Sequence, residues 1–217
     1  MTTALFSSAY LPPVQYFAHL LAADRAVIEQ HDHYMKQTYR NRCTIAAPDG
    51  PLALTVPIIK PDSPKCPMRD IRISDHGNWR HLHWNALNSA YNHTPFFEYY
   101  KDDFRPFYEE KRYEFLMDYN EALVRLLCEL IDIDLTNKLS RTESYCQPSP
   151  DMLDYRETIH PKRDTLTADP AFVAHPYYQV FADKLGFLPN LSIVDLLFNM
   201  GPESLLVLRQ CHAAISR

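Results

Sequence analysis

Apolar positions in the first third of the chain come in short runs broken by turn residues. Residues 4–10, Ala-Leu-Phe-Ser-Ser-Ala-Tyr, form one such run, stopped by Pro12 and Pro13, which predicts a buried strand ending in a tight connection. Pro13 suits a first helical position, where its missing N–H costs nothing. Gln15 to Ala23 reads as a helix with Tyr16, Phe17, Leu20 and Leu21 as its apolar stripe, and Ala26 to Glu29 as a second strand, so the chain opens β-α-β. Two β-favouring runs, 42–47 and 52–59, flank Pro48-Asp49-Gly50 and predict a hairpin, because Pro fixes φ and Gly permits a positive φ. Pro61, Pro64 and Pro67 mark a loop. Alternation at Asp70–Ile73 predicts a further short strand.

The period then changes from two to about 3.6. Asn78 is the expected N-cap of a helix running to about Asn92. Residues 96–101 read as a short aromatic helix. Residues 113–131 form the strongest helical pattern, with Leu116, Tyr119, Leu123, Leu126, Leu127 and Leu130 at spacings of three and four. Residues 134–175 are polar, proline-bearing and weakly periodic, a connection that wraps the domain or forms a lid. Helical periodicity resumes at 177–185 and 192–199; Gly201 ends the second stretch and Pro202 starts a last helix reaching about Ile215. The expected fold is α/β: a small mixed sheet, made of the β-α-β opening plus the hairpin, followed by a mainly helical C-terminal half. Residues 1–133 are the expected core and 134–217 a helical extension packed on the same domain.

Composition narrows the function classes. Hydrophobic residues make up 46% and charged residues 23%, a globular balance, so the chain is expected to fold unaided. A net charge of −5 without a run of Lys or Arg longer than two argues against nucleic acid as a partner. Cys43, Cys66, Cys128, Cys146 and Cys211 are scattered, odd in number and never spaced C-x-x-C, which points to neither a disulfide framework nor a zinc site. No stretch is long and apolar enough to span a bilayer, and the opening lacks an export signal. Together these predict a cytoplasmic protein. The 14 Tyr and 11 Phe suit a semi-polar core or a pocket of sugar or nucleotide size.

The densest polar cluster is residues 31–42, just after the second predicted strand, where an open α/β sheet gathers its ligands. Lys36, Arg40 and Arg42 could clamp phosphate or carboxylate, with Tyr39 and Asn41 beside them; a solvated charged loop is the bland alternative. His31 and His33 share a strand face, but no third ligand is evident nearby, and no metal is expected. A second group, Trp79, His83, Asn88, Ser89, Tyr91 and Asn92, lies on the following helix. His83 is the first candidate for a general acid or base because its ordinary pKa is close to neutrality, with Tyr91 as its companion; a hydrogen-bonded packing role is the alternative. Nucleophile elbows, Gly-rich phosphate loops and H-E-x-x-H are missing, and with 4 Gly in the chain a phosphate would fall to side chains or to the helix start at Pro13.

Residues 10–17, Tyr-Leu-Pro-Pro-Val-Gln-Tyr-Phe, then Asp24, Tyr39-Arg40-Asn41-Arg42, Thr55-Val56-Pro57, Trp79, Ser89-Ala90-Tyr91 and Pro95-Phe96-Phe97 resemble the WbqC-like family in order and spacing over roughly residues 5–133. Where that family's opening reads His or Gln and then Pro, this chain has Ser7-Ser8-Ala9-Tyr10. The resemblance implies a bacterial cytoplasmic protein of surface-polysaccharide or O-antigen biosynthesis. It also implies a transferase that modifies an amino sugar with an aminoacyl or acyl group. On that reading Arg40 and Arg42 are anion clamps, Tyr10 and Tyr16 pocket walls and His83 the proton carrier, with a sugar or nucleotide-linked sugar as ligand and no cofactor named. A nucleotidyltransferase-like enzyme and a non-catalytic binding or assembly protein stay open, and a homodimer is the default assembly.

Overall fold

Strand β1 (Thr3–Ser7) is fully buried at Ala4, Leu5 and Phe6, as expected of a central parallel strand covered on both faces. The computed structural model describes residues 1–213 apart from the Leu166 side chain. Helix α1 (Val14–Ala22) carries the chain to β2 (Arg25–Glu29), which pairs with β1 in parallel, Thr3 opposite Arg25 and Ser7 opposite Glu29. The hairpin β3 (Arg42–Ala47) and β4 (Gly50–Thr55) follows in antiparallel register, Ala47 opposite Gly50. This gives the expected α/β class, with the β-α-β opening and the hairpin both present. Among the described residues, however, the hairpin strands pair in a ladder only with each other.

Residues 71–73 are extended but form only single bridges, Ile73 with Ile58 and Arg72 with Phe115, beside a 3-10 turn at Met68–Asp70. They were expected to make a strand. The alternation is real, with Ile71 and Ile73 buried and Arg72 exposed, but neither flanking segment runs alongside for long enough to build a ladder.

Helices α2 (Trp79–Tyr91), α3 (Phe97–Glu109) and α4 (Leu116–Ile131) make the helical layer. Asn78 does sit at the cap position of α2, yet its side chain makes no capping bond; its backbone is left-handed (φ 48°) and Asn tolerates that conformation. The aromatic helix runs far past residue 101, continuing through Pro106.

The segment expected to be a connection supplies both outer strands of the main sheet. Strand β5 (Leu139–Arg141) pairs with β2, and β6 (Met152–Asp154) with β1, giving the all-parallel order β5-β2-β1-β6. Each has 3 residues, too few for a period to register. Short helices α5 (Thr165–Ala168) and α6 (Ala182–Leu185) lead to α7 (Ile193–Met200) and α8 (Ser204–Gln210). Residues 177–181, expected to be helical, are instead held by side-chain bonds from Tyr177 and Gln179 to Asp195. The last expected helix stops at Gln210; positions 214–217 lie outside the described residues.

Helix α7 is apolar nearly all round and packs among α1, α2, α3, α4 and α8, as such a composition requires. The turn from β1 into α1 leans on the same region. Leu11 is held at φ 38° while its carbonyl accepts from Ser192 Oγ at 2.8 Å, and the N–H groups of Val14 and Gln15 donate to the Leu191 carbonyl and Asn190 Oδ1, each at 2.9 Å. No helix among the described residues is long and apolar enough to cross a membrane.

Candidate functional site

Most of the candidate residues fall into three separate places. Tyr10, Trp79 and His83 meet in an aromatic cluster inside the core. Tyr10 Oη lies 2.9 Å from His83 Nδ1 and 2.9 Å from Tyr108 Oη, and the Trp79 ring stands edge-on to His83 with centroids 5.1 Å apart. Tyr10 is 0% exposed and His83 5%. Trp79 is tied down as well, its indole N–H donating to the Ser74 carbonyl at 2.9 Å. Tyr91 is elsewhere, donating from its hydroxyl to Asp195 Oδ1 at 2.9 Å beneath α7. Burial raises the phenols of Tyr10 and Tyr91 well above their ordinary pKa, so both stay protonated.

His83 and Asp195 give the core opposite responses to pH. Burial pushes His83 down to about 4, against the Thr55 carbonyl that accepts from its ring. The native state therefore holds fewer protons than the unfolded chain between about 4 and 6.5, and stability falls as pH drops through that window. Burial pushes Asp195 up to about 6, against hydrogen bonds from Tyr177, Tyr91 and Gln179. Here the native state holds more protons between about 4 and 6, and stability rises as pH drops. Each shift corresponds to about 3 kcal/mol. In urea titrations, the stability advantage of the wild type over His83→Gln should shrink by about that much from pH 7 to pH 4, and its advantage over Asp195→Asn should grow. A constant difference in either comparison contradicts the assignment.

The third place is a crevice beyond the carboxyl ends of β1, β2 and β6. The β1-α1-β2 unit builds the sheet in one direction, whereas β6 returns to the other side of β1, so the crevice lies where the strand order reverses. It is a cavity of about 450 Å³ walled by His31, Asp32 and Arg40 on one side and Asp154, Arg156 and Glu157 on the other, with Tyr145 at its mouth. Bordering it, with Arg40 and Arg156 in common, is a small cleft of about 10 Å³ lined by Ser7–Ala9, Tyr16 and Tyr39.

Charge in the crevice is paired but incompletely satisfied. Arg40, 3% exposed, forms a close ion pair through one terminal nitrogen with Asp32 Oδ2. Burial raises the Asp32 carboxyl, and the Arg40 guanidinium only partly offsets it. Across the gap Arg156 clamps Asp154 with two bonds, 2.8 and 3.0 Å, lies over the half-exposed Tyr145 ring at 5.3 Å and donates to the Cys146 carbonyl at 3.2 Å. Burial opposes it, but the Arg156 bonds hold the Asp154 carboxyl below its usual range. Beneath, Glu29 is fully buried and ties three segments together, accepting from the His31 N–H at 2.7 Å, Thr142 Oγ1 at 2.8 Å and the Cys146 N–H at 2.7 Å. Four buried atoms of residues lining the crevice and its cleft have no hydrogen-bond partner: Tyr16 Oη, His31 Nε2, Asp32 Oδ1 and Arg40 Nε. Such groups cost about 1–3 kcal/mol each when left unpaired.

A family model described as the WbqC-like protein family matches residues 7–158. The chain belongs to the WbqC-like protein family. The matched stretch runs from the end of β1 through β6, so every strand of the main sheet except most of β1, and both walls of the crevice, fall inside the WbqC-like region. The chain is also 28% identical over 230 residues to the uncharacterized protein Rv1507c of Mycobacterium tuberculosis, an alignment covering 96% of this chain and 98% of that one. No solved structure matches the chain.

Of the WbqC-like residues singled out in the sequence, Arg40 lines the crevice and Tyr16 and Tyr39 its cleft. Lys36 is exposed on the adjoining loop. Asn41 is buried and donates to the Val56 carbonyl at 2.8 Å, while Arg42 turns onto the hairpin, with Nε 3.1 Å from Thr55 Oγ1. Tyr10 and His83 do not share a hollow with Arg40 and Arg42. The far wall, Tyr145, Asp154, Arg156 and Glu157, went unread because it sits in the aperiodic segment. One signal was available: Asp154 and Arg156 are two apart, the spacing that puts side chains on one side of an extended chain. Among the described residues no group of three or more His, Cys, Asp or Glu is arranged to hold a metal ion.

Proposed function

We propose that this protein is a transferase of bacterial surface-polysaccharide assembly that binds a sugar in the crevice between β1 and β6 and moves an acyl or aminoacyl group onto its amine. The observation that carries the reading is the set of buried, unpartnered polar atoms on Asp32, Arg40 and His31, three residues that line a cavity of about 450 Å³ at the strand-order reversal. Three carboxylates, Asp32, Asp154 and Glu157, face two guanidiniums, Arg40 and Arg156, a balance that suits an amine and hydroxyls better than a bare polyphosphate. Tyr145, 50% exposed, offers a ring face for a sugar to lie on.

In this mechanism Asp32 is the general base. Its burial-raised carboxyl takes the proton from the sugar amine as the nitrogen bonds to the acyl carbon, and the donor's leaving group departs with its electron pair. Arg40 favours the ionised form of Asp32 against its burial and stabilises charge developing on the acyl oxygen. The nucleotidyltransferase reading is less well supported, because the first N–H groups of α1 that would meet a phosphate are already bonded to Leu191 and Asn190.

Thermal shift and calorimetry with amino sugars, nucleotide-linked sugars and acyl donors test the proposal. At least one amino sugar, free or nucleotide-linked, is expected to raise the melting temperature in a saturable way, and an acyl donor added to it should yield an N-acylated product by mass spectrometry. Silence across the panel would end the proposal, and binding without product would leave a carrier or sensor in its place.

A further inference from the structure

The start of α2 and the end of α3 border a second cavity, of about 390 Å³, that shares no residue with the crevice or its cleft. Its floor is aromatic. Trp79, Trp84 and Tyr108 are all buried there, and the Trp84 and Tyr108 rings stack with centroids 5.8 Å apart. Two of the three polar tips on this floor are occupied, Trp79 Nε1 by the Ser74 carbonyl and Tyr108 Oη by Tyr10 Oη, each at 2.9 Å. The third, Trp84 Nε1, has no hydrogen-bond partner although the residue is only 9% exposed, and unlike the orphaned atoms of the crevice it keeps contact with open space.

The walls add further donors. Arg80 lies over the Trp79 ring at 4.6 Å and forms a close ion pair with Asp75. The Arg80 side chain is 12% exposed and that of Asp75 79%, so the guanidinium is held by packing while its carboxylate partner stands in solvent. Glu109 is engaged by Arg105 at 2.6 Å. Arg112 has no carboxylate partner among the described residues and donates only to the neighbouring Lys111 carbonyl, at 3.2 Å. Helix α2 also begins here without a side-chain cap and without an acidic residue in its first turn, so neither position brings an anion to its positive end.

The geometry points to a second ligand site here, one for the carboxylate of a ring-sized monoanion. The carboxylate accepts from Trp84 Nε1 and Arg112 and takes the place of Asp75 on Arg80, and the body of the ligand lies against Trp84 and Tyr108. Charge sets the class. With Asp75 paired to Arg80 and Glu109 to Arg105, one guanidinium is left over, which matches a single negative charge, while the two acids at the rim would repel a polyphosphate. A neutral guest would cover the Arg112 and Trp84 donors without satisfying them. The volume falls within the roughly 300–1,000 Å³ of small-molecule pockets.

Benzoate and benzamide, alike in shape and different in charge, are the first probes, and glucuronate with glucose repeats the comparison on a saccharide body. The chain has 2 Trp, both lining this cavity and neither the crevice, so tryptophan emission reports on this site separately from the proposed sugar site. At least one carboxylate should shift the emission saturably and bind at least about tenfold more tightly than its neutral counterpart, and the pair that responds tells an aromatic acid from an acidic sugar. In calorimetry Arg112→Gln, a change at an exposed residue, and Trp84→Phe, which keeps a ring and removes the donor, should each weaken that binding about tenfold. Asp75→Asn should tighten it, because the ligand no longer competes for Arg80. Silence from both carboxylates, equal binding of charged and neutral probes, an Arg112→Gln protein that binds like the wild type, or weaker binding by Asp75→Asn would each overturn the assignment.

Discussion

Substituting alanine at Gly201 should lower stability by roughly 2–5 kcal/mol, enough to consume a large part of a typical domain's margin. Two independent effects add. Gly201 closes α7 at φ 54° and ψ −126°, a region that residues with a Cβ occupy only under strain. A Cβ there would also stand 2.5 to 2.7 Å from three ring atoms of Phe96, far inside contact distance. The Phe96 backbone is held in place, its N–H bonded to the Phe198 carbonyl at 3.1 Å, so relief falls to rotation of the half-buried ring. Urea denaturation of Gly201→Ala measures the loss; a change within about 0.5 kcal/mol, ordinary for a surface site, would show that the turn has room to relax.

Removing one member of the Arg40–Asp32 pair should be comparably severe. Their side chains are 4% and 10% exposed, so Arg40→Ala or Asp32→Ala strands a charge away from water, at a cost of about 3–5 kcal/mol. The paired replacement Arg40→Met with Asp32→Leu strands nothing and should recover most of the stability, because buried ion pairs exchange for apolar residues at little net cost. The same variant deletes the proposed base and its counter-ion. A folded double variant that has lost sugar binding and acyl transfer would separate the pair's chemistry from its packing. Retention of full activity would mean that the reaction takes place elsewhere.

The sequence exposed those parts of the fold whose signals are local. The hairpin could be read because Pro48-Asp49-Gly50 demands a turn, and Gly50 does adopt φ 124°. Helix α4 announced itself through leucines at spacings of three and four, and the structure moves only its start, from 113 to 116. What stayed hidden depends on partners distant in the chain. Strands β5 and β6 are defined by the ladders they join, and nothing in Leu139–Arg141 or Met152–Asp154 states that β2 and β1 await them.

The same distinction governs the site. Arg40 could be singled out because its cluster follows β2, and the carboxyl end of a parallel strand is a general address for ligands. His83 drew attention by its residue type, and residue type does not reveal that Tyr10, 73 positions away, would fold over it. Arg156 and Asp154 form the far wall only because β6 crosses to the other side of β1. That is a fact of topology, and no window of sequence contains it.

The strand order also bears on how the protein is made. When β1 and β2 leave the ribosome they have each other and nothing on their outer flanks; their remaining neighbours come late in translation. Until then two rows of bare amides and carbonyls are open to any other extended chain, and a product truncated before residue 139 would keep them open for good. Prematurely terminated copies are therefore the molecules to watch for clumping.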